Sequence, residues 1–82
     1  MRLYVGNIRW SASDDDLRRF FAQAGDVSAV EIVRNPLTGR SRGFAFIDMP
    51  NEGEAAIAIE RLNGADFRGL PVRVGHARPR PR

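Results

Sequence analysis

The sequence predicts an α+β fold in which two helices cover one face of a four-stranded antiparallel sheet, in the chain order βαββαβ. Four segments alternate apolar side chains with a period of two, as strands do, and two segments between them repeat apolar residues with a helical period. The chain has 82 residues, so we expect one small domain over residues 1–77 and a flexible, arginine- and proline-rich tail over residues 78–82.

Composition narrows the class of protein. The chain has no cysteine, which excludes disulfides and thiolate metal sites and is typical of a reducing compartment. No apolar run approaches the roughly 20 residues of a membrane span, and no secretion signal precedes the first strand. We therefore expect a cytoplasmic protein, or a nuclear one in a eukaryote, without membrane contact.

Charge is distributed unevenly along the chain. The net charge is only +3, yet residues 50–66 hold four acidic residues and one arginine, whereas residues 67–82 hold five arginines and no acidic residue. This asymmetry favours an anionic partner that approaches one side of the molecule.

The first strand is predicted at Arg2–Gly6, with alternate residues facing the core and Tyr4 facing the other way. A loop, residues 7–12, follows. We expect Trp10 in this loop to pack against the end of the core, because Trp is largely buried in most proteins. The alternative is a ring presented beside the sheet.

The first helix is predicted to begin at Ser13, whose hydroxyl can cap the helix together with Asp16. The acidic residues 14–16 suit the positive end of a helix, and three consecutive helical positions point in different directions, which disfavours a metal site. Gly25 is predicted to end the helix in the left-handed conformation. The apolar stripe that faces the sheet consists of Leu17, Phe20, Phe21 and Ala24.

The second strand is predicted at residues 27–34, with Glu31 on the face away from the helices. A turn-rich loop, residues 35–41, follows it. Arg40 near the end of this loop is a candidate contact for an anionic ligand. Without that arginine, the segment is typical of a solvated hairpin loop.

The segment Arg42–Met49 predicts a third strand with two unlike faces. The face suited to the core carries Gly43, Ala45, Ile47 and Met49. The opposite face carries Arg42, Phe44, Phe46 and Asp48. Aromatic residues beside a cation on an exposed face indicate a binding surface, and they suit the flat bases and the phosphates of a single-stranded nucleic acid.

The second helix is predicted to begin after Asn51 and to end at residues 63–64. Ile57 lies off its apolar stripe and is expected to be partly exposed. The stripe itself consists of Ala55, Ala58, Ile59 and Leu62. After a short turn at residues 67–71, a fourth strand is predicted to direct Arg73 to the same open face as the aromatic residues.

Two segments resemble the paired signatures of the RNA recognition motif. Arg42–Met49 is similar to the family's octapeptide, K/R-G-F/Y-G/A-F-V-x-F/Y, and departs from it at Met49 when Ile47 stands for valine. Leu3–Ile8 resembles the hexapeptide partner, and the resemblance covers residues 2–78. It implies a ferredoxin-like βαββαβ fold whose open sheet face binds RNA.

The resemblance also implies roles for individual residues. In the family, the aromatics that match Tyr4 and Phe46 each stack on a base. The aromatic that matches Phe44 packs against the sugars between them, and the cation that matches Arg42 meets a phosphate.

Further contacts are expected around these positions. Arg40 lies in a loop that often flanks RNA in the family, and Arg73 and Arg78 are expected to add phosphate or base-edge contacts. Asp48 and Glu31 are hydrogen-bond acceptors that can take a bond from the 2′-hydroxyl; on an exposed sheet they also serve as solubilising charges.

The predicted function is the binding of single-stranded RNA by a monomeric chain without cofactor, metal or membrane, with single-stranded DNA bound more weakly. The alternatives are a protein-interaction module of the same family, a general single-stranded nucleic-acid binder, and an enzyme of the same topology such as an acylphosphatase. Protein-binding members commonly lose the sheet aromatics, which this chain keeps at all three positions. An acylphosphatase needs a glycine-rich phosphate cradle that Gly6–Trp10 does not resemble, so no catalytic residue is predicted.

Overall fold

The computed structural model describes residues 1–77 and confirms the predicted architecture. Its elements are β1 (Arg2–Gly6), α1 (Asp14–Ala22), β2 (Ala29–Arg34), β3 (Ser41–Asp48), α2 (Glu52–Leu62), β4 (Asp66–Phe67), β5 (Leu70–Pro71) and β6 (Arg73–His76). Four strands form an antiparallel sheet in the order β2-β3-β1-β6. The turn predicted at residues 67–71 is instead part of a two-stranded hairpin of β4 and β5.

The central strands β1 and β3 place the aromatic positions side by side. Tyr4 pairs with Phe46 and Gly6 pairs with Phe44, while Glu31 of β2 pairs with Phe46 from the other side. Directly opposed residues of an antiparallel pair point to the same face of the sheet. These five positions therefore share one face, which is the face that the helices leave open.

The core lies between the other face of the sheet and the two helices. The sheet contributes Leu3, Val5, Ile32, Ala45, Ile47 and Val74, and the helices contribute Leu17, Phe21, Ala55, Ala58 and Leu62. Within residues 1–77 no polar or charged side chain is buried. Both predicted helical stripes are confirmed, although Phe20, Ala24 and Ile59 are only partly buried at the margin of this core.

Helix α1 begins with the predicted capping box. The Ser13 hydroxyl accepts a hydrogen bond from the Asp16 amide, and the Asp16 carboxylate accepts one from the Ser13 amide, both at 3.1 Å. Asp16 also pairs with Arg68 across 2.8 Å. The hydrogen bonds from Ser13, with the charge of Arg68, lower the pKa of Asp16 below its ordinary value of 3.8. The acidic start of this helix thus serves capping, as predicted.

The end of α1 differs from the prediction. The helix ends at Ala22, with Gln23 in right-handed helical geometry as the cap, and Gly25 is not among the residues of positive φ. A Cβ atom at Gly25 would instead overlap the side chain of Glu54, whose carboxylate accepts a hydrogen bond from the Asp26 amide at 3.0 Å. Gly25 is therefore required for the close approach of α2, and not for a left-handed turn.

Other boundaries are close to those predicted. Strand β2 begins at Ala29 and not at residue 27, and α2 ends at Leu62 before Gly64, whose φ of 84° fits the predicted stop. Ile57 is 42% exposed, which confirms its place off the stripe. None of the helices that the structure describes is long and apolar enough to cross a membrane.

The β4–β5 hairpin packs against α1. Arg68 and Gly69 both have positive φ, at 53° and 94°, as a tight two-residue hairpin turn requires. The hairpin buries Phe67, whose ring lies 4.8 Å from that of Phe20, centroid to centroid. This contact was not predicted from the sequence, because Phe67 belongs to no periodic pattern.

The segment after α2 covers the outer edge of β6. The Gly64 amide donates to the Val72 carbonyl at 2.7 Å, and the Val72 amide donates to the Ala65 carbonyl at 3.0 Å. The side-chain oxygen of Asn63 accepts a hydrogen bond from the Val74 amide at 3.1 Å. Both backbone groups of Val72, just before β6, and the amide of Val74 within β6 are therefore occupied.

Candidate nucleic-acid interface

Three aromatic rings form a cluster on the open face of the sheet; we call Tyr4, Phe44 and Phe46 the outer ring cluster. The Tyr4 ring lies 5.9 Å from Phe44 and 6.2 Å from Phe46, and the two phenylalanines are 6.2 Å apart. The interplanar angles are 35°, 62° and 87°. No two of these rings are parallel, so they do not stack on one another. Tyr4 is 37% exposed, and the cluster lies on the open face, as the strand alternation predicts.

Gly6 makes room for the Tyr4 ring. A Cβ atom on Gly6 would lie 2.8 Å from Cζ and 2.9 Å from Cε1 of Tyr4, closer than side chains pack. The missing side chain allows the phenol ring to lie along its own strand beside Phe44, which pairs with Gly6. Gly6 is thus a positioning residue for the outer ring cluster.

Arg2 contacts the Phe46 ring, and it is not among the site residues predicted from the sequence. Its guanidinium carbon lies 4.7 Å from the ring centroid, a cation–π distance. The same guanidinium forms an ion pair with the Glu31 carboxylate. Strand alternation could have indicated Arg2, because Arg2 and Tyr4 are two residues apart on one strand and therefore share a face.

The remaining predicted residues of the sheet lie around the cluster. Arg73 is exposed on β6 and pairs with Gly6, which places it on the open face. Asp48 pairs with Arg2 and also lies on this face. Arg42 is exposed, but Gly43 after it has a φ of 88° and the register of β3 shifts there. The strict alternation that predicted Arg42 beside Phe44 therefore holds only from Phe44 onward.

The predicted packing of Trp10 is wrong. This side chain is 65% exposed, and the guanidinium carbon of Arg40 lies 5.5 Å from the centroid of its ring. The loop before α1 and the loop before β3 therefore meet at this pair. Arg78, with the other residues of the predicted tail, lies outside the described residues, and its RNA contact stays a prediction.

Comparison with known proteins identifies the family. A family model described as the RNA recognition motif matches residues 3–73. The chain belongs to the RNA recognition motif family. The chain is 41% identical over 80 residues to the putative RNA-binding protein RbpA of Nostoc sp.. The alignment covers 98% of this chain and 78% of that relative. It is 38% identical to the 29 kDa chloroplastic ribonucleoprotein of Arabidopsis thaliana and covers 24% of that longer protein's length.

Solved structures of other RNA recognition motifs have the same fold. The RNA-binding protein PG1 superposes with a TM-score of 0.91 at 38% identity, over 100% of this chain and 99% of that one. The RNA recognition motif of Rna15 with bound RNA (GU) superposes with a TM-score of 0.83 at 26% identity, over 93% of this chain and 81% of that one. The ferredoxin-like arrangement expected from the sequence is confirmed.

Proposed function

We propose that this chain binds single-stranded RNA on the open face of its sheet. The observation that carries the proposal is the outer ring cluster, three aromatic side chains held on an uncovered face by the central strands. Small domains rarely expose such a patch without a ligand. Membership of the RNA recognition motif family, and a solved relative with bound RNA, support RNA as that ligand.

Base stacking supplies the main attraction. Tyr4 and Phe46 each accept one base, and Phe44 between them packs against the sugars. Because the rings are mutually tilted, each can receive a base without first leaving a stacked partner. Each stacked base contributes about 1–3 kcal/mol.

Arg2 is the residue that an incoming base must displace from the Phe46 ring. In the free protein its guanidinium occupies one side of this ring and is held there by Glu31. An incoming base replaces the guanidinium, which is then free to pair with a phosphate of the same strand. Arg42 and Arg73 add phosphate contacts from either side, and Arg78 is expected to do the same.

Discrimination between RNA and DNA depends on the polar groups on the open face of the sheet. The ring faces of bases are common to both polymers, so stacking does not distinguish them. The carboxyl oxygens of Asp48 and Glu31 are hydrogen-bond acceptors and can take a bond from the 2′-hydroxyl. Single-stranded DNA of matched sequence should bind more weakly, and duplex RNA poorly, because its bases are already stacked.

The proposal also covers the domain organisation, the oligomeric state and the location of the chain. It acts as a monomeric binding domain over residues 1–77, followed by the tail 78–82, with no cofactor and no catalytic role, in the cytoplasm. A binding role agrees with the family and with the printed names of the relatives.

The test is a competition titration at fixed salt, with a fluorescently labelled single-stranded RNA of mixed sequence as the probe. We expect the RNA strand to compete best, the matched DNA strand less well, and the RNA duplex least. A matched control is Ile57→Ala, which removes an exposed apolar side chain from α2, away from the open face. Duplex RNA as the best competitor would disprove the sheet-face mechanism, and equal affinities for RNA and DNA would disprove the role of the carboxylates.

A further inference from the structure

Trp10 is held outside the core by a loop that is itself well anchored. Ile8 and Ala12 on either side of it are buried. The Ile8 amide donates to the Gly43 carbonyl at 3.0 Å, and the Ala12 amide donates to the Arg9 carbonyl at 3.0 Å. Arg9 in turn donates from Nε to the Arg68 carbonyl at 2.8 Å. The exposure of the ring is therefore fixed by its neighbours and does not result from a loose loop.

The partner of Trp10 is anchored as well. Arg40 accepts a hydrogen bond on its carbonyl from the Asn35 amide at 2.8 Å, which closes the loop between β2 and β3. Its guanidinium lies over the indole, 5.5 Å from the centroid, while 65% of the Trp10 side chain stays exposed. A large flat ring and a cation are thus presented together to solvent.

The position of this pair connects it to the outer ring cluster. The Ile8 amide is hydrogen-bonded to Gly43, which directly precedes Phe44 on β3. Gly6 is at the end of β1 and pairs with Phe44. The loop that carries Trp10 therefore leaves the sheet at the Phe44 end of the cluster.

We propose that Trp10 and Arg40 form an additional nucleotide site, which extends the path of a single strand beyond the sheet. The inference rests on the proposed RNA-binding function. The indole stacks on one further base, and the Arg40 guanidinium pairs with the adjacent phosphate. The occupant is an unpaired nucleotide of any base, since stacking alone does not select among bases.

The chain provides its own reporter for this site. Trp10 is the sole tryptophan of the sequence, so selective excitation of tryptophan observes this ring and no other. Two labelled oligouridines serve as probes, one of about three nucleotides, enough to occupy the two stacking rings of the sheet, and one of about eight. Fluorescence anisotropy gives the affinity of each, and quenching of Trp10 reports stacking at the proposed site.

We expect the longer RNA to quench Trp10 and the shorter one to leave it nearly unchanged. Trp10→Ala should weaken binding of the longer RNA by about fivefold or more and leave the shorter one within about twofold. Trp10→Phe should retain most of the affinity, because a ring remains. Arg40→Gln should weaken the longer RNA selectively and should make the binding less sensitive to salt.

Control variants separate this inference from the proposed function. Ile57→Ala should change neither affinity, and Phe46→Ala should weaken both RNAs. If Phe46→Ala weakens both but Trp10→Ala changes neither, the additional site is wrong and the sheet function stands. If neither RNA binds the unaltered chain, the function and the site are both wrong. An equal loss for both RNAs in Trp10→Ala would also overturn the site, because the ring would then act on the sheet itself.

Discussion

The molecule contains two clusters of three aromatic rings, one on each side of its sheet. The inner ring cluster, Phe20, Phe21 and Phe67, is packed between the sheet, α1 and the hairpin, with Phe20 4.8 Å from Phe67 and 5.6 Å from Phe21. The outer ring cluster is spaced more widely, at 5.9 to 6.2 Å. Phe21 is fully buried, whereas Tyr4 is partly open to solvent.

This difference shows that the role of an aromatic residue depends on which face of the structure it occupies. The inner rings bury apolar surface and stabilise the fold. The outer rings could not be covered by the rest of the chain without losing the surface that a base needs. The following substitutions test this division, from the largest expected effect to the smallest.

Phe21→Ala should have the largest effect, and on stability alone. Truncation of a fully buried phenylalanine costs about 3–5 kcal/mol, a large part of the stability of a small domain. Urea denaturation followed by circular dichroism measures the loss. Should the alanine variant fail to fold, Phe21→Leu should still show a smaller loss with unchanged RNA affinity. A stability equal to that of the unaltered chain would mean that the inner cluster is not the core.

Phe46→Ala should reverse this pattern. Loss of one stacked base corresponds to about 1–3 kcal/mol of binding free energy, or roughly fivefold or more in affinity. The free energy of unfolding should change much less than in Phe21→Ala, because Phe46 lies on the uncovered face. Anisotropy titration and urea denaturation on the same preparation give both values. A variant that binds RNA as tightly as the unaltered chain but has a much lower free energy of unfolding would contradict the division between the clusters.

Gly6→Ala should have a smaller effect, transmitted through Tyr4. The added methyl group collides with the phenol ring and forces it away from the backbone, which should weaken RNA binding by about 1 kcal/mol, the lower end of a stacking contribution. A double-mutant cycle tests the route, because in a Tyr4→Ala background the same change should have almost no further effect. Additive losses would show that Gly6 does not act through Tyr4.

Asp16→Asn should have the smallest effect, and only on the stability of the fold. Hydrogen bonds from Ser13 and the nearby Arg68 charge lower the pKa of Asp16 in the folded state. Its stabilising contribution is therefore complete above the unfolded pKa of about 3.9 and is lost as the pH falls through the lower folded value. The stability difference between the two proteins should shrink as the pH falls below about 4. Urea denaturation across this range checks it, and a constant difference would contradict the linkage.

The sequence predicts the elements well because their signals are local. Helical stripes, strand alternation and the Ser13 cap each depend on residues within a few positions of one another, and all three reappear in the structure. The outer ring cluster follows from the same alternation, with the two phenylalanines of β3 on one side of the strand. Proximity of Tyr4 to them follows from the resemblance to paired signatures, which places β1 beside β3.

The features that were missed depend on contacts between distant segments. Trp10 is exposed because its loop is hydrogen-bonded to Gly43 and, through Arg9, to Arg68. No local sequence pattern predicts either hydrogen bond. The contact of Arg2 with Phe46 requires the register of three strands. Gly25 resembles a helix stop, yet its small size serves the packing of Glu54. In each case the role of the residue is decided by a partner that is distant in the sequence.

The covered edge of β6 has a consequence for self-association. An exposed sheet edge is a template on which another chain can add a strand, and this hazard grows when the sheet also carries an uncovered apolar face. At Val72 and Val74 the segment 63–65 already occupies the edge amides and a carbonyl. A second copy could extend the sheet here only after these hydrogen bonds were broken. The chain can therefore display aromatic rings to solvent while this side resists the strand-by-strand growth that leads to aggregates.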